Sequence, residues 1–213
     1  MAIINIKSKE RKPAALLFFM FFSIVSATIT GASVRDAVFL TQFDKSYLPV
    51  MFITIAVVMA GVIALYKKLT AGQDQIFVIS ISGALFSVSL FLLQSNLSGL
   101  FIPVLYIWME VVTILSIFQF WILAGEVFNA RQAKRIFTLM GAGGSFAGMG
   151  AGYGIKPFVS TFGSENLLFL TIFFIGLSVV MAQMLRPFRM PHKHKKVNSK
   201  PVPKSKTEFE PYL

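Results

Sequence analysis

Residues 100–154 read LFIPVLYIWMEVVTILSIFQFWILAGEVFNARQAKRIFTLMGAGGSFAGMGAGYG, and their reading decides the fold. From Leu100 to Phe128 the stretch is apolar almost throughout, with Glu110 near its middle. As a helix, such a run is long enough to cross the ~30 Å hydrocarbon core of a bilayer. The next segment, 129–135, carries Arg131, Lys134 and Arg135 and no acid. It reads as a short basic turn that sets which side of the membrane the hairpin points to. From Ile136 to Val159 the chain is apolar again and dense in glycine. Two membrane helices joined by a basic turn are therefore expected. A lone carboxylate at membrane depth is costly unless it faces a bundle interior or a water-filled cavity. Function is accordingly expected near Glu110 and its partners.

Further apolar runs flank this hairpin. Residues 1–13 are basic, with Lys7, Lys9, Arg11 and Lys12 against Glu10. The apolar run after them, from Ala14 to Ser33, exceeds the ~7–15 residues of a signal-peptide core, so an uncleaved first helix is expected. That helix is expected to continue past Arg35 and Asp36 to Phe43, about 45 Å in all at ~1.5 Å per residue. Leu48–Tyr66 and Ile76–Leu93 read as the second and third spans, 136–159 as the fifth, and Leu167–Leu185 as the sixth. The serines of the third span, Ser80, Ser82, Ser87 and Ser89, read as helix-packing groups. Asn96-Leu97-Ser98 matches a glycosylation sequon, a pattern too short to weigh. The three expected parts are a basic N-terminus (1–13), a six-helix membrane domain (14–185) and a basic, proline-punctuated tail or linker (186–213).

Composition agrees with this division. The 213 residues are 55% hydrophobic and 14% charged, against ~45–50% and ~25% in soluble domains. The formal net charge of +11 would ordinarily raise nucleic acid as a partner. Here the basic residues gather in expected loops and the tail, which fits membrane topology better. An N-terminus inside puts Lys67, Lys68, Arg131, Lys134, Arg135 and the tail on the cytoplasmic side, leaving Lys45 and Lys156 towards the outside. That asymmetry supports six spans with both termini cytoplasmic. The tail also reads as a patch for anionic membrane lipid. No cysteine is present, so disulfides and thiol chemistry are excluded. His192 and His194, separated only by Lys193, are weak grounds for a metal.

Few residues can carry chemistry. Glu110, Ile114, Ile117 and Trp121 share one face of the fourth helix at helical spacing. That face offers a carboxylate and an aromatic ring to a cavity, or else pairs Glu110 structurally with a cation such as Arg35. Arg35 and Asp36 either end the first span at the interface or face that same cavity. Gly144, Gly148 and Gly152 recur every fourth residue, with Gly141 near the same face, and read as a helix-packing seam. A phosphate loop is a poor reading, because no Gly-Lys-Ser/Thr ending follows. Lys156 snorkels to the outer interface or guides an anionic solute. With no nucleophile–base pair, metal cluster or cofactor motif, an enzyme is not expected. Charges on the first and fourth spans suit an inverted three-helix repeat, in which equivalent helices line a central site.

These residues also resemble a family. Val34-Arg35-Asp36-Ala37-Val38-Phe39-Leu40 is similar to the basic–acidic motif on the first helix of the ATP/ADP translocases of plastids and intracellular bacteria. Trp108-Met109-Glu110 resembles that family's acidic position on the fourth helix, and 131–137 (RQAKRIF) its loop and fifth-helix start. The resemblance implies one half of a major-facilitator-like transporter. It implies a phosphate-binding position at Arg35, where the family has lysine, and a carboxylate needed for transport at Glu110. The family's transporter has a second helical half, so a partner half is implied as well.

The expected protein is thus an all-α membrane protein of the bacterial cytoplasmic (inner) membrane. Its leading expected function is a transporter-like subunit for an anionic, nucleotide-like solute. Arg35, Asp36, Glu110, Trp121 and Lys156 would bind the solute, and a second six-helix half would complete it. The alternative is a non-transporting anchor or scaffold that assembles soluble domains or subunits into a larger complex.

Overall fold

The structure, a computed structural model, describes residues 8–95, 97 and 99–189. The basic N-terminal residues 1–7, the sequon positions Asn96 and Ser98, and the tail beyond Arg189, with both histidines, lie outside the described residues. Six α-helices follow one another: α1 (Ser8–Gln42), α2 (Leu48–Thr70), α3 (Gln75–Gln94), α4 (Phe101–Val127), α5 (Ala130–Phe162) and α6 (Leu167–Met184). Single 3₁₀ turns precede α2, at Lys45–Tyr47, and follow α6, at Arg186–Phe188. No strand occurs among the described residues.

Local chemistry sets the helix ends. Asp44 Oδ1 accepts the Ser46 N–H at 2.8 Å and starts the first 3₁₀ turn. Asp74 caps α3 by accepting from Ile76 and Phe77 at 2.9 and 3.1 Å. At α5, Asn129 Oδ1 accepts the Gln132 N–H while the Gln132 side chain accepts the Asn129 N–H, a reciprocal capping box. This corrects the basic turn read at 129–135. The segment is the opening of α5 itself, and only Phe128 and Asn129 lie between α4 and α5. The side chains of Arg131, Lys134 and Arg135 are outside the described set. Gly163 closes α5 with φ of +86°, a conformation that costs a residue with Cβ.

Five helices are long and apolar enough to cross a membrane, which fits a multi-pass membrane protein; α5 is the exception. Its glycines lengthen the helix without adding apolar side chain. α1 runs for 35 residues, about 52 Å, beyond the ~30 Å hydrocarbon core. The outer side of α2 leaves Val50, Phe52, Ile53, Val57 and Leu65 more than half exposed. Surface of that kind is sustained by lipid or a partner rather than by water.

Successive helices alternate in direction. Glu10 accepts from the Gln132 side chain, joining the starts of α1 and α5. Arg189, just past α6, pairs with Asp74 at the start of α3 and with Glu126 at the end of α4. Lys67 and Lys68 close α2 at this same basic end.

The pairing of helices has a symmetry. α1 packs on α4, α5 and α6; α4 packs on α1, α2 and α3; α3 packs on α6. Exchanging helices 1–3 with 4–6 maps this pattern onto itself, as inverted three-helix repeats require. One departure stands out: α5 reaches α6, whereas α2 and α3 are not in substantial contact.

Small residues sit where the exchanged helices meet. A Cβ on Gly31 of α1 would overlap Met109 of α4, and one on Gly83 of α3 would overlap Val179 of α6. On α5, a Cβ on Gly143 would lie 3.2 Å from the Phe18 carbonyl oxygen, and one on Gly144 would lie 3.2 Å from the Phe21 ring. Gly141, Gly148 and Gly152 have nothing within 4 Å of a built Cβ. The glycine seam expected along Gly141–Gly152 is therefore, within this chain, a contact at Gly144 alone of the four. Gly141 and Gly148 are exposed, and Gly148 and Gly152 line an open groove beside Ile29 of α1.

Candidate functional site

α1 and α4 stand at the centre of the bundle, backed by α3 and α6 and flanked by α5 and α2 respectively. Their polar residues meet near the ends opposite the basic end. Arg35, seven residues before the end of α1, extends its guanidinium to α4. Its Nε donates to Asp36 Oδ1 at 2.9 Å, and Nη1 donates to Glu110 Oε1. The Arg35 guanidinium also lies over the Tyr106 ring, 4.5 Å from the centroid. Tyr106 is one helical turn from Glu110 and is buried against Phe39, ring to ring at 4.8 Å.

The parts of the cluster are unequally covered. The Arg35 side chain is 12% exposed, Glu110 27% and Asp36 50%. The guanidinium is thus held inside while one carboxylate edge remains reachable from outside the chain. A planar guanidinium can receive two carboxylates, or a carboxylate and a phosphate, through separate N–H edges. Here one guanidinium serves two carboxylates and a ring face. The two carboxylates engage Nε and Nη1, and the ring covers one face.

Glu110 thus pairs with Arg35, as the sequence allowed. Trp121 lies elsewhere. It is eleven residues along α4, about 16 Å, and packs among Phe21, Phe120 and Phe137. Ile114 and Trp121 are each 38% exposed, so the stripe they share with Glu110 lines an open face rather than a closed cavity. Lys156 is exposed on α5 and lines a shallow groove of about 680 Å³ with Ile29, Gly148, Ala151 and Ile155. Among the described residues no ion pair joins it to Arg35 or its partners.

Tyr106 escaped the sequence reading. Its signal was available: an aromatic residue four before an intramembrane carboxylate shares that carboxylate's face. A second polar group also went unread. Gln119, 3% exposed, donates from its side-chain amide to the Ser82 hydroxyl at 2.9 Å and accepts at its backbone carbonyl from the Gln75 side chain at 3.4 Å. With Trp108 Nε1 donating to Ser89 at 2.8 Å and Gln183 donating to Ser80, these serines tie α3 to α4 and α6. On the other side of the bundle, the hydroxyls of Thr30 and Thr171 bond at 2.9 Å between α1 and α6.

At the basic end, Arg189 Nε lies 2.8 Å from Glu126 Oε2 while its Nη1 holds Asp74. The Arg189 hydrogen bond, with the two N–H groups of the α3 cap, holds the Asp74 carboxyl below the usual carboxylate range. This end is therefore tied by ion pairs, and the opposite end by the Arg35 cluster. Among the described residues no group of three His, Cys, Asp or Glu is arranged to bind a metal ion. Comparison with protein-family models, with curated proteins and with solved structures finds no match to this chain.

Proposed function

We propose that the chain is a six-span membrane subunit that works as one half of a transporter for an anionic, nucleotide-like solute. Both termini lie in the cytoplasm, and a second six-helix half faces α1 and α4. The observation that carries this reading is the Arg35–Glu110 pair, which joins the two helices exchanged by the repeat symmetry on their partly open face. Intramembrane charges are expensive and mark solute or ion pathways by default.

The mechanism follows from partner exchange. With no solute, Arg35 binds Glu110 and holds α1 against α4. A solute phosphate or carboxylate takes the place of Glu110 on the guanidinium, and the tie between the helices is released. Solute binding is thereby coupled to the relative position of the two helices, as any ligand-driven shift requires differential affinity for the two states. The open face of α1 and α4 leaves room for a second half.

The test uses the purified protein in lipid vesicles, with labelled ATP, ADP and inorganic phosphate as probes. Saturable binding or uptake of one probe is expected. Arg35→Gln should weaken it at least tenfold. Glu110→Gln should leave binding intact or tighten it, because the competing carboxylate is gone, while slowing exchange. No binding of any probe by the folded protein and by its native complex would overturn the transport reading in favour of a scaffold.

A further inference from the structure

We propose that one water molecule binds at the middle of the bundle and joins α4 to α1 and α6 through the hydroxyls of Thr28, Thr113, Ser116 and Ser178. The inference needs neither a solute nor a second half. Along α4, Glu110, Thr113, Ser116 and Gln119 recur every third residue. That spacing winds a polar row by about 60° per step around a helix. The row starts at Glu110 on the partly open face and ends at Gln119, 3% exposed, inside the bundle. Midway along it lies a small cavity. Its polar walls are Thr28 of α1, Thr113 and Ser116 of α4, and Ser178 of α6, with Met109 and Ile175 among the apolar ones. Its volume of about 10 Å³ is room for one water. Each of the four polar residues stands within about three residues of the midpoint of its helix.

The donors and acceptors around this cavity match those of one water. Hydroxyls on these helices commonly turn back on a carbonyl of their own helix, as Ser23, Ser33 and Thr171 do. Thr28 likewise donates to the Ile24 carbonyl at 3.0 Å, and Ser178 to the Ile175 carbonyl at 2.7 Å. Their protons are committed, and each oxygen keeps a lone pair that can accept. Thr113 and Ser116 differ. Among the described residues neither hydroxyl has a hydrogen-bond partner, and neither is sealed off from water. Each has a proton to donate. Two acceptors and two donors around one water fill its four hydrogen-bonding positions. A hydroxyl left unpaired in apolar surroundings is costly, and the water removes that cost. An ion does not suit these walls, because no charged residue lines the cavity to balance it. α1 and α6 are already tied directly, by Thr30 and Thr171 at 2.9 Å; the water adds α4 to that tie.

The test is a crystal structure of the purified chain, grown in a lipidic mesophase and resolved well enough to show ordered water, together with melting of two variants in detergent. One density peak is expected at hydrogen-bond distance, ~2.5–3.2 Å, from at least three of the four hydroxyls. Thr113→Val keeps the shape of the side chain and removes its proton. It should lower the melting temperature by about 2–4 °C, because the water loses a partner, and Ser116→Ala should act in the same direction. A cavity without density, with the Thr113 and Ser116 hydroxyls turned back on the carbonyls of Met109 and Val112, would overturn the proposal. So would an unchanged or raised melting temperature in Thr113→Val, since removing an unpaired hydroxyl from a dry cavity costs nothing. A peak that appears with sodium in the buffer and disappears with choline would mark a cation and overturn it equally. Where a variant fails to fold, the density in the native chain decides alone. None of these readouts depends on solute transport, so the two proposals fail separately.

Discussion

Arg35 is the residue on which the two central helices agree. Its guanidinium, 12% exposed, is neutralised by Glu110 and Asp36 and covered on one face by Tyr106. Removing one member of a desolvated pair leaves the other charge uncompensated. Arg35→Gln and Glu110→Gln are each expected to lower stability by about 1–3 kcal/mol, below the ~3–5 kcal/mol of a fully buried pair because the Glu110 side chain is 27% exposed. The double variant should recover part of the loss, giving a coupling energy of at least about 0.5 kcal/mol in a double-mutant cycle on thermal unfolding in detergent. Strict additivity would mean that the pair does not interact. Asp74 makes a second prediction at this scale. Its folded-state pKa is depressed, chiefly by Arg189, so its contribution is present above the ordinary carboxylate pKa of ~3.9 and lost as pH falls through the depressed value. A stability profile across the acid range should fall more steeply for the native chain than for Asp74→Asn. Parallel profiles would remove Asp74 from the acid response.

At the scale of elements, close approach is concentrated where helices exchanged by the repeat meet. Gly83 faces Val179, a branched side chain with little room to turn aside, and Gly31 faces the more flexible Met109. Gly83→Leu should therefore cost about 1–3 kcal/mol by overpacking, whereas Gly148→Leu should leave the melting of the isolated chain within about 0.5 kcal/mol. Should Gly148→Leu nevertheless break up the native complex, the bare face of α5 would be a surface for a partner. Much of the element level was legible beforehand: spans read to Phe43, Tyr66 and Val159 end within about four residues of the helix ends at Gln42, Thr70 and Phe162. The start of α5 was not, since its basic residues obscured the Asn129–Gln132 capping pair. Nor was the choice among glycines. Spacing every fourth residue shows that a face is smooth, and says nothing about whether another helix lies on it.

For the whole molecule, the prediction concerns orientation. A cysteine placed at Gln73, at the basic end, should react only with a reagent that reaches the cytoplasm, and one at Ser160 with an impermeant reagent from outside. The native chain has no cysteine, so the background is clean. Reaction of the Gln73 variant from outside alone would invert the topology and carry Lys67, Lys68 and Arg189 to the other face.

Local order along the chain was sufficient for six helices, their alternation and the candidacy of Arg35 and Glu110. Each rests on properties of contiguous residues: apolar length, caps, and the cost of a charge within an apolar run. The tertiary structure alone decided which side chains meet. It placed Arg35 on Tyr106 and Glu110, sent Trp121 about 16 Å away along α4, buried Gly83 rather than Gly148, and opened a gap between α2 and α3. Those outcomes depend on how helices distant in sequence tilt and pack, and helical periodicity fixes a residue's face without fixing what lies opposite it.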